Sequence, residues 1–370
     1  MDNKILINLL SFLFIPLLSC SRDNNDFEEY RIEIDTQTKD TTIKENSDTI
    51  IIGKKDTIIT EKQDTIITEK NDTVIILKND TIISESTVKD TLICSHEKYM
   101  DLSPTVSNAQ GAACYDKYFI QGYAGNSAME IYDLESKKYI CKLDISTPTP
   151  NSKIHVNSMC FGNQRFSSDD FFPLLYISSG YTVNVNGSPC LFIYVYRLCK
   201  NINIDQTENF HIELVQTITL KGFDSWTEGI PDNDHDALWV KYEPTHSNTG
   251  NWFASFQMPK VQDGDIIINE NDATKKFTVG IQPFISSNQG HLYYHDRIYL
   301  VSGISPQTQK LALIIINTLT CSRELVLDLT EIGLYDEPES IIIYKEQLMI
   351  GYRGSIFKLN ILSNNNNYID

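Results

Sequence analysis

Apolar and polar positions follow three different rules along the chain. From Ile5 to Leu18 they scarcely alternate: fourteen predominantly apolar residues follow the single basic side chain of Lys4. That run is too short to cross a bilayer, which takes about 20 residues, and has the length of a signal-peptide core. From Asp40 to Asp80 the rule is a period of eight, with Asp-Thr opening each unit, as in Asp56-Thr57-Ile58-Ile59-Thr60-Glu61-Lys62-Gln63. Eight residues make about 2.2 helical turns, so the aliphatic pair drifts round a helix and builds no stripe. The β-branched Thr and Ile disfavour helix further. In a strand the paired aliphatics point to opposite faces, and one such strand gains too little apolar surface to fold alone. The period predicts an extended stalk over residues 20–95, with a solenoid or a fibre of several chains as the alternative. Fully extended, such a segment reaches on the order of 250 Å.

After residue 95 the rule changes to short apolar runs broken by Asn, Asp, Ser and Gly. Tyr118–Gly122, Met129–Tyr132, Tyr139–Leu143, Leu174–Ser178, Leu191–Tyr196 and Leu311–Ile316 read as strands. No stretch carries the 3.6-residue periodicity of a long amphipathic helix, so residues 96–370 are expected to be all-β. One unit of four strands runs from Gln110 to Ile145, and others follow near 155–220, 225–281, 288–330 and 337–362. Units of about 40 residues and four strands resemble β-propeller blades, and the resemblance implies that fold. Five are counted, and two are long enough to hide a sixth. The last is one strand short, so Thr87–Cys94, or the stretch just after it, is expected to complete that blade and close the ring. A pair of β-sandwiches is the competing arrangement.

Composition narrows the function classes. With 370 residues, 41% hydrophobic and 10% aromatic, the chain has material for a large core. The net charge is −18, of which the stalk carries −7 and the globular part −11. That balance argues against a nucleic-acid partner, which needs a basic face. Eight cysteines in this length do not make a disulfide scaffold, and Cys190 with Cys199 is the most plausible bridge by spacing.

The ends of the first two segments carry further resemblances. Leu17-Leu18-Ser19-Cys20 resembles a bacterial lipobox, which implies cleavage after Ser19, so that residues 1–19 are a signal peptide. It also implies acylation at Cys20 by palmitate-type chains and anchorage to a membrane. The acidic Ser21–Glu29 stretch is similar to the surface-export signal of Bacteroides-group lipoproteins and implies an outer-membrane, cell-surface address. Asp-(Ser/Thr)-(aliphatic or Thr) triplets resemble the O-glycosylation acceptor motif of the same group, which implies glycans on Thr41, Thr49, Thr57, Thr65, Thr73, Thr81 and Thr91. The whole layout resembles β-propeller lipoproteins of those surfaces.

Chemistry is less legible. If the blades are right, their innermost strands begin at Asn108–Gly111, His155–Ser158, Trp226–Gly229, Asn288–His291 and Glu337–Glu339. Gln110, His155, Asn157, Trp226, Glu228, Gln289, His291 and Glu339 are then expected at the mouth of an axial channel, as ligand contacts or as a plug. Enzyme signatures such as Gly-x-Ser-x-Gly, His-Glu-x-x-His and Cys-x-x-Cys are missing. A glycoside hydrolase needs two carboxylates about 5–9 Å apart, and Glu228 with Glu339 is the candidate pair. Asp232-Asn-Asp234-His-Asp236 starts like a calcium loop, but Ala237 stands where a Gly is wanted, so a polar hairpin turn is expected. Trp226, Trp239 and Trp252 read as core or as sugar-stacking platforms. No metal or other cofactor is expected. A glycan- or protein-binding scaffold is the leading reading and a glycan-cleaving or glycan-modifying enzyme the alternative. Protein from its native host is expected to exceed its polypeptide mass, with the excess confined to peptides of residues 21–95; intact-mass and peptide mass spectrometry measure it.

Overall fold

The computed structural model describes residues 42–46, 49–53, 73–75, 84–86, 93–125, 127–146, 154–179, 183–185, 188–223, 227–242, 251–279, 288–304, 306 and 310–362. Two compact units divide the chain, Met1–Lys89 and Asp90–Asp370. In the first, Thr42–Asn46 pairs antiparallel with Thr49–Gly53, and Thr73–Ile75 with Ser84–Ser86, so octads fold back on their neighbours locally. Cys20, Thr41, Thr57, Thr65, Thr81 and Thr91 lie outside the described residues, and Thr49 and Thr73 are described by backbone alone.

The second unit is a five-bladed β-propeller. Blade 1 is Ala109–Tyr115, Tyr118–Tyr123, Ala128–Asp133 and Lys138–Asp144, in sequential antiparallel order. Blade 2 is Ser158–Phe161, Leu175–Ser178, Ser188–Ile202 and Glu208–Lys221; blade 3 is Glu228–Asp232, Ala237–Tyr242, Asn251–Gln257 and Lys275–Val279. Blade 4 is Asn288–Tyr294, Arg297–Ser302, Ala312–Asn317 and Ser322–Asp328. Blade 5 is Ser340–Tyr344, Gln347–Gly351 and Ser355–Leu362, completed by Ile93–Asp101 from the other end of the unit. The stretch just after Cys94 thus closes the ring as expected. Helix is confined among the described residues to the 3-10 turns Val261–Asp263 and Glu270–Asp272.

The near-continuous apolar strands follow from burial of both sheet faces. Tyr118 and Ile120 pack on blade 2 while Phe119 between them packs on blade 5. Ile341 faces blade 4 and Ile342 faces blade 1. A hydrophobic cluster fills each junction round the ring, with Ile193 against Val240 between blades 2 and 3 and Ile230 against Leu300 between blades 3 and 4. The length that left room for a sixth blade goes elsewhere. Blade 2 lengthens its outer hairpin to strands of 15 and 14 residues and adds Ile266–Asn269 as a parallel edge strand.

Two features follow from this topology. Cys190 and Cys199 share the strand Ser188–Ile202, about 30 Å apart at the rise of an extended chain. A disulfide needs Cα atoms within about 7 Å, so the bridge suggested by their spacing is ruled out, and the seven described cysteines are free thiols. At the axis the inner strands meet backbone to backbone. A Cβ on Gly111 would lie 2.6 Å from Ser158 Cα, and one on Gly290 2.6 Å from Ser340 Cα. Gly290→Ala is expected to lower stability by about 1–3 kcal/mol. Gly354→Ala, whose added Cβ meets nothing within 4 Å, is expected to change it by less than about 0.5 kcal/mol. Thermal or urea unfolding of the two variants measures the difference.

Candidate functional site

Each inner strand opens with a polar residue followed by a small one: Gln110-Gly111, Asn157-Ser158, Glu228-Gly229, Gln289-Gly290 and Glu339-Ser340. All of these residues are buried. The small residue permits the close approach at the axis, and the polar one is carried inside with it. At Ala109/Ala112 and Asn288/Gly290 the inner strand slips register against its neighbour, a bulge that re-aims the side chains beside the glycine.

The expected mouth residues are sorted into three networks. His155 Nε2 lies 3.1 Å from Gln110 Oε1. Burial pushes the His155 pKa down, partly offset by the charge of Glu228. In the second network Asn157 Nδ2 donates to Glu228 Oε1. Glu228 Oε2 lies 3.2 Å from His291 Nδ1 and 3.5 Å from Lys241 Nζ, as an ion-pair contact rather than an aligned hydrogen bond. Lys241 is placed by register, directly across the ladder from Glu228. Burial raises the Glu228 pKa, but Lys241 and then His291 outweigh it and hold the carboxyl below its usual range. Cys160 Sγ donates to the His291 carbonyl at 3.1 Å, and burial pushes that thiol up to about 12.

The third network caps the axis with Arg353. Its Nε donates to Glu339 Oε1 at 2.9 Å, its Nη2 donates to Glu337 Oε2, and Gln289 Nε2 donates to Glu337 Oε1 at 2.7 Å. Glu339 is 0% exposed and its Oε2 accepts no hydrogen bond from the described residues. Burial pushes its pKa up to about 8, against the pull of Arg353. Glu228 and Glu339 therefore sit in separate networks, both sealed from solvent, instead of facing one another across an open acidic pocket. Trp226 lies outside the described residues.

Other expected candidates resolve into structure. Asp232 Oδ1 accepts from the backbone N–H groups of Asp234 (3.1 Å) and His235 (2.9 Å), which caps the expected hairpin turn. Trp239 is core, its Nε1 donating to Asp232 Oδ2 at 3.1 Å. Trp252 packs at the edge of the cluster between blades 2 and 3.

The open cavity lies at the opposite end of the inner strands. All five contribute to a pocket of about 380 Å³, through Tyr115, Phe161, Pro231, Tyr293 and Ile343 among others. A cleft of about 540 Å³ between blades 4 and 5 shares Tyr294 and Ile343 with it and runs outward past Tyr299, Ile315 and Leu348. The loop between Phe161 and Leu175 supplies the rim residue Arg165. Sequence reasoning stopped at the strand starts and missed this end, although carrying each inner strand a few residues further reaches Tyr115, Phe161, Tyr293 and Tyr294.

No protein-family model and no curated protein matches the chain. Among solved structures it is similar to a glutaminyl cyclase from Myxococcus xanthus (TM-score 0.41, 12% identity, covering 75% of this chain and 98% of that one). It is also similar to the PQQ-bound aldose sugar dehydrogenase of Streptomyces coelicolor (TM-score 0.39, 9% identity, 73% of this chain and 98% of that one). A third is the hydrazine synthase of Kuenenia stuttgartiensis (TM-score 0.35, 12% identity, 66% of this chain and 62% of that one). No chemistry is carried over from proteins at this distance.

The Glu339 carboxyl holds its proton to about pH 8 in the folded chain and to its ordinary value of 4.5 when unfolded. The folded state binds more protons across that window, so this group makes stability fall as pH rises through it. Glu339→Gln is expected to flatten the decline, gaining on the parent as pH rises; unfolding midpoints at about pH 5 and about pH 9 measure it.

Proposed function

We propose that this chain is a lipid-anchored outer-membrane surface protein that presents a ligand-binding β-propeller on a glycosylated stalk, with the pocket at the far end of the inner strands as its site. The observation that carries the reading is the contrast between the two ends of the axis. One end is closed by the Glu228–Lys241 and Glu337–Arg353 ion pairs and by fully buried side chains; the other is an open cavity of about 380 Å³ to which every inner strand contributes. That volume falls in the range of small-molecule sites, and an aromatic wall with polar groups set into it is what such sites present. The lipobox at Cys20 and the acidic residues after it support the address, and the octad triplets support the modified stalk.

One observation supports a second reading, a glycan-cleaving or glycan-modifying enzyme. Glu228 is held below the ordinary carboxylate range while Glu339 is pushed up to about 8, a division that suits a base and an acid. That reading requires the closed end to open at Arg353. In cells, Cys20→Ala is expected to move the protein from the membrane to the soluble fraction. A glycan array probed with the full mature chain, followed by product analysis of any hit, separates the readings. Binding without turnover is expected; turnover abolished by both Glu228→Gln and Glu339→Gln replaces the binding module with the enzyme.

A further inference from the structure

Among the described residues that line the axial pocket, Arg165 is the only charged one. Its loop is pinned at both ends, with Gly162 N donating to Leu174 O at 2.9 Å and Leu174 N to Gln164 O at 2.7 Å. Within it, the Arg165 guanidinium donates only to neutral oxygens: Nε to the Asp170 carbonyl at 3.0 Å, and Nη2 to the Tyr115 hydroxyl at 2.6 Å and the Phe171 carbonyl at 3.3 Å. The nearby carboxylate of Asp170 is taken by another arginine. Arg197 grips it from Nε at 3.0 Å and Nη2 at 2.7 Å, while Ser167 N donates to the same group at 3.0 Å. Arg165 therefore has no ion-pair partner among the described residues, and the Asp170 carboxylate acts on it only through space, inside a unit whose net charge is strongly negative.

Aromatic and aliphatic side chains make up much of the wall around that charge. Phe161 and Tyr293 are buried, and Tyr115, Leu292, Tyr294 and Ile343 are half-buried. The two amides at the rim each commit one N–H to the backbone, Asn163 Nδ2 to the Asn233 carbonyl and Asn233 Nδ2 to the Phe161 carbonyl, each at 3.2 Å. A neutral sugar, which needs a hydrogen-bond partner for most of its hydroxyls, finds few here. A planar fork at the rim of an aromatic cup matches one carboxylate carried on an apolar body.

We infer that the axial pocket binds an amphipathic monocarboxylate, its carboxylate on Arg165 and its apolar body against Phe161, Tyr293 and Leu292. This deepens the binding-module reading and rests on the same pocket. The test uses the full mature chain with Cys20→Ala, which avoids detergent, and isothermal titration with 4-phenylbutyrate and its uncharged primary amide. The acid is expected to bind at least about tenfold more tightly than the amide. Arg165→Gln is expected to abolish that preference, and Arg165→Lys, which retains the charge, to keep part of it. Equal binding of acid and amide, an unchanged preference in Arg165→Gln, or no binding of the acid up to about 10 mM overturns the inference. Leu292→Trp fills the cup and is expected to remove binding of the acid. If acid binding persists in that variant, the pocket is not the site, and the reading of the pocket falls with the inference. A hit on a neutral oligosaccharide that Leu292→Trp abolishes keeps the module and discards the carboxylate.

Discussion

Five strands can share one axis only where their backbones nearly touch, and that approach organises the rest of the propeller. Gly111 and Gly290 sit where an added Cβ would strike the neighbouring inner strand, and Ser158 and Ser340 are the atoms it would strike. The residue before each small one is held in the same constriction, and all five are polar. Water has little room there, so these side chains answer mainly to one another, with Glu228 Oε2 and Glu339 Oε2 left without an aligned hydrogen bond. Asn157, Glu228, Lys241 and His291 do so as a buried charged cluster, and Gln289, Glu337, Glu339 and Arg353 as a cap. Replacing such a pair by apolar groups can be neutral, whereas deleting one member strands the other. The cluster therefore fixes which residues may stand at the axis more than it adds to stability.

The same geometry makes the two ends of the axis different. At the strand starts the polar side chains cross-link neighbouring blades and close the centre. Further along, the inner strands carry Tyr115, Phe161, Tyr293 and Ile343, and the space between them is a cavity rather than a junction. Charge is divided accordingly. Acidic groups near the closed end are matched by Lys241 and Arg353, and the open end holds one cation that hydrogen-bonds no carboxylate among the described residues.

Much of this was legible in the sequence because blades repeat. Strands buried on both faces read as short apolar runs, and the five units fall where turn residues punctuate them. Even the missing outer strand of blade 5 could be placed, because a ring must close and the segment after Cys94 had the right texture. What the sequence withheld depends on pairings distant along the chain. Nothing near Glu228 indicates that Lys241 stands across the ladder from it, or that His291, on the inner strand of the next blade, completes the cluster. The parallel strand Ile266–Asn269 and the long outer hairpin of blade 2 looked like room for another blade, since length alone does not tell an embellished sheet from an added one. Glu228 and Glu339 looked like a carboxylate pair because their positions correspond, and correspondence in a ring brings residues to the same height without making them partners.

Arg165 illustrates the remaining limit. In the chain it stands in a polar stretch, with Asp169 and Asp170 close by. The structure gives Asp170 to Arg197, a residue of the third strand of the same blade, because that strand passes beneath the loop with its guanidinium in bidentate reach. Holding the loop in this way leaves Arg165 to the pocket. Two arginines and one carboxylate then suffice to build a fixed positive site: one cation locks the acid and with it the turn, and the turn aims the other cation through its carbonyls. Neutral oxygens orient a guanidinium without cancelling its charge, so the field at the rim survives in an acidic unit and falls on whatever occupies the aromatic cup.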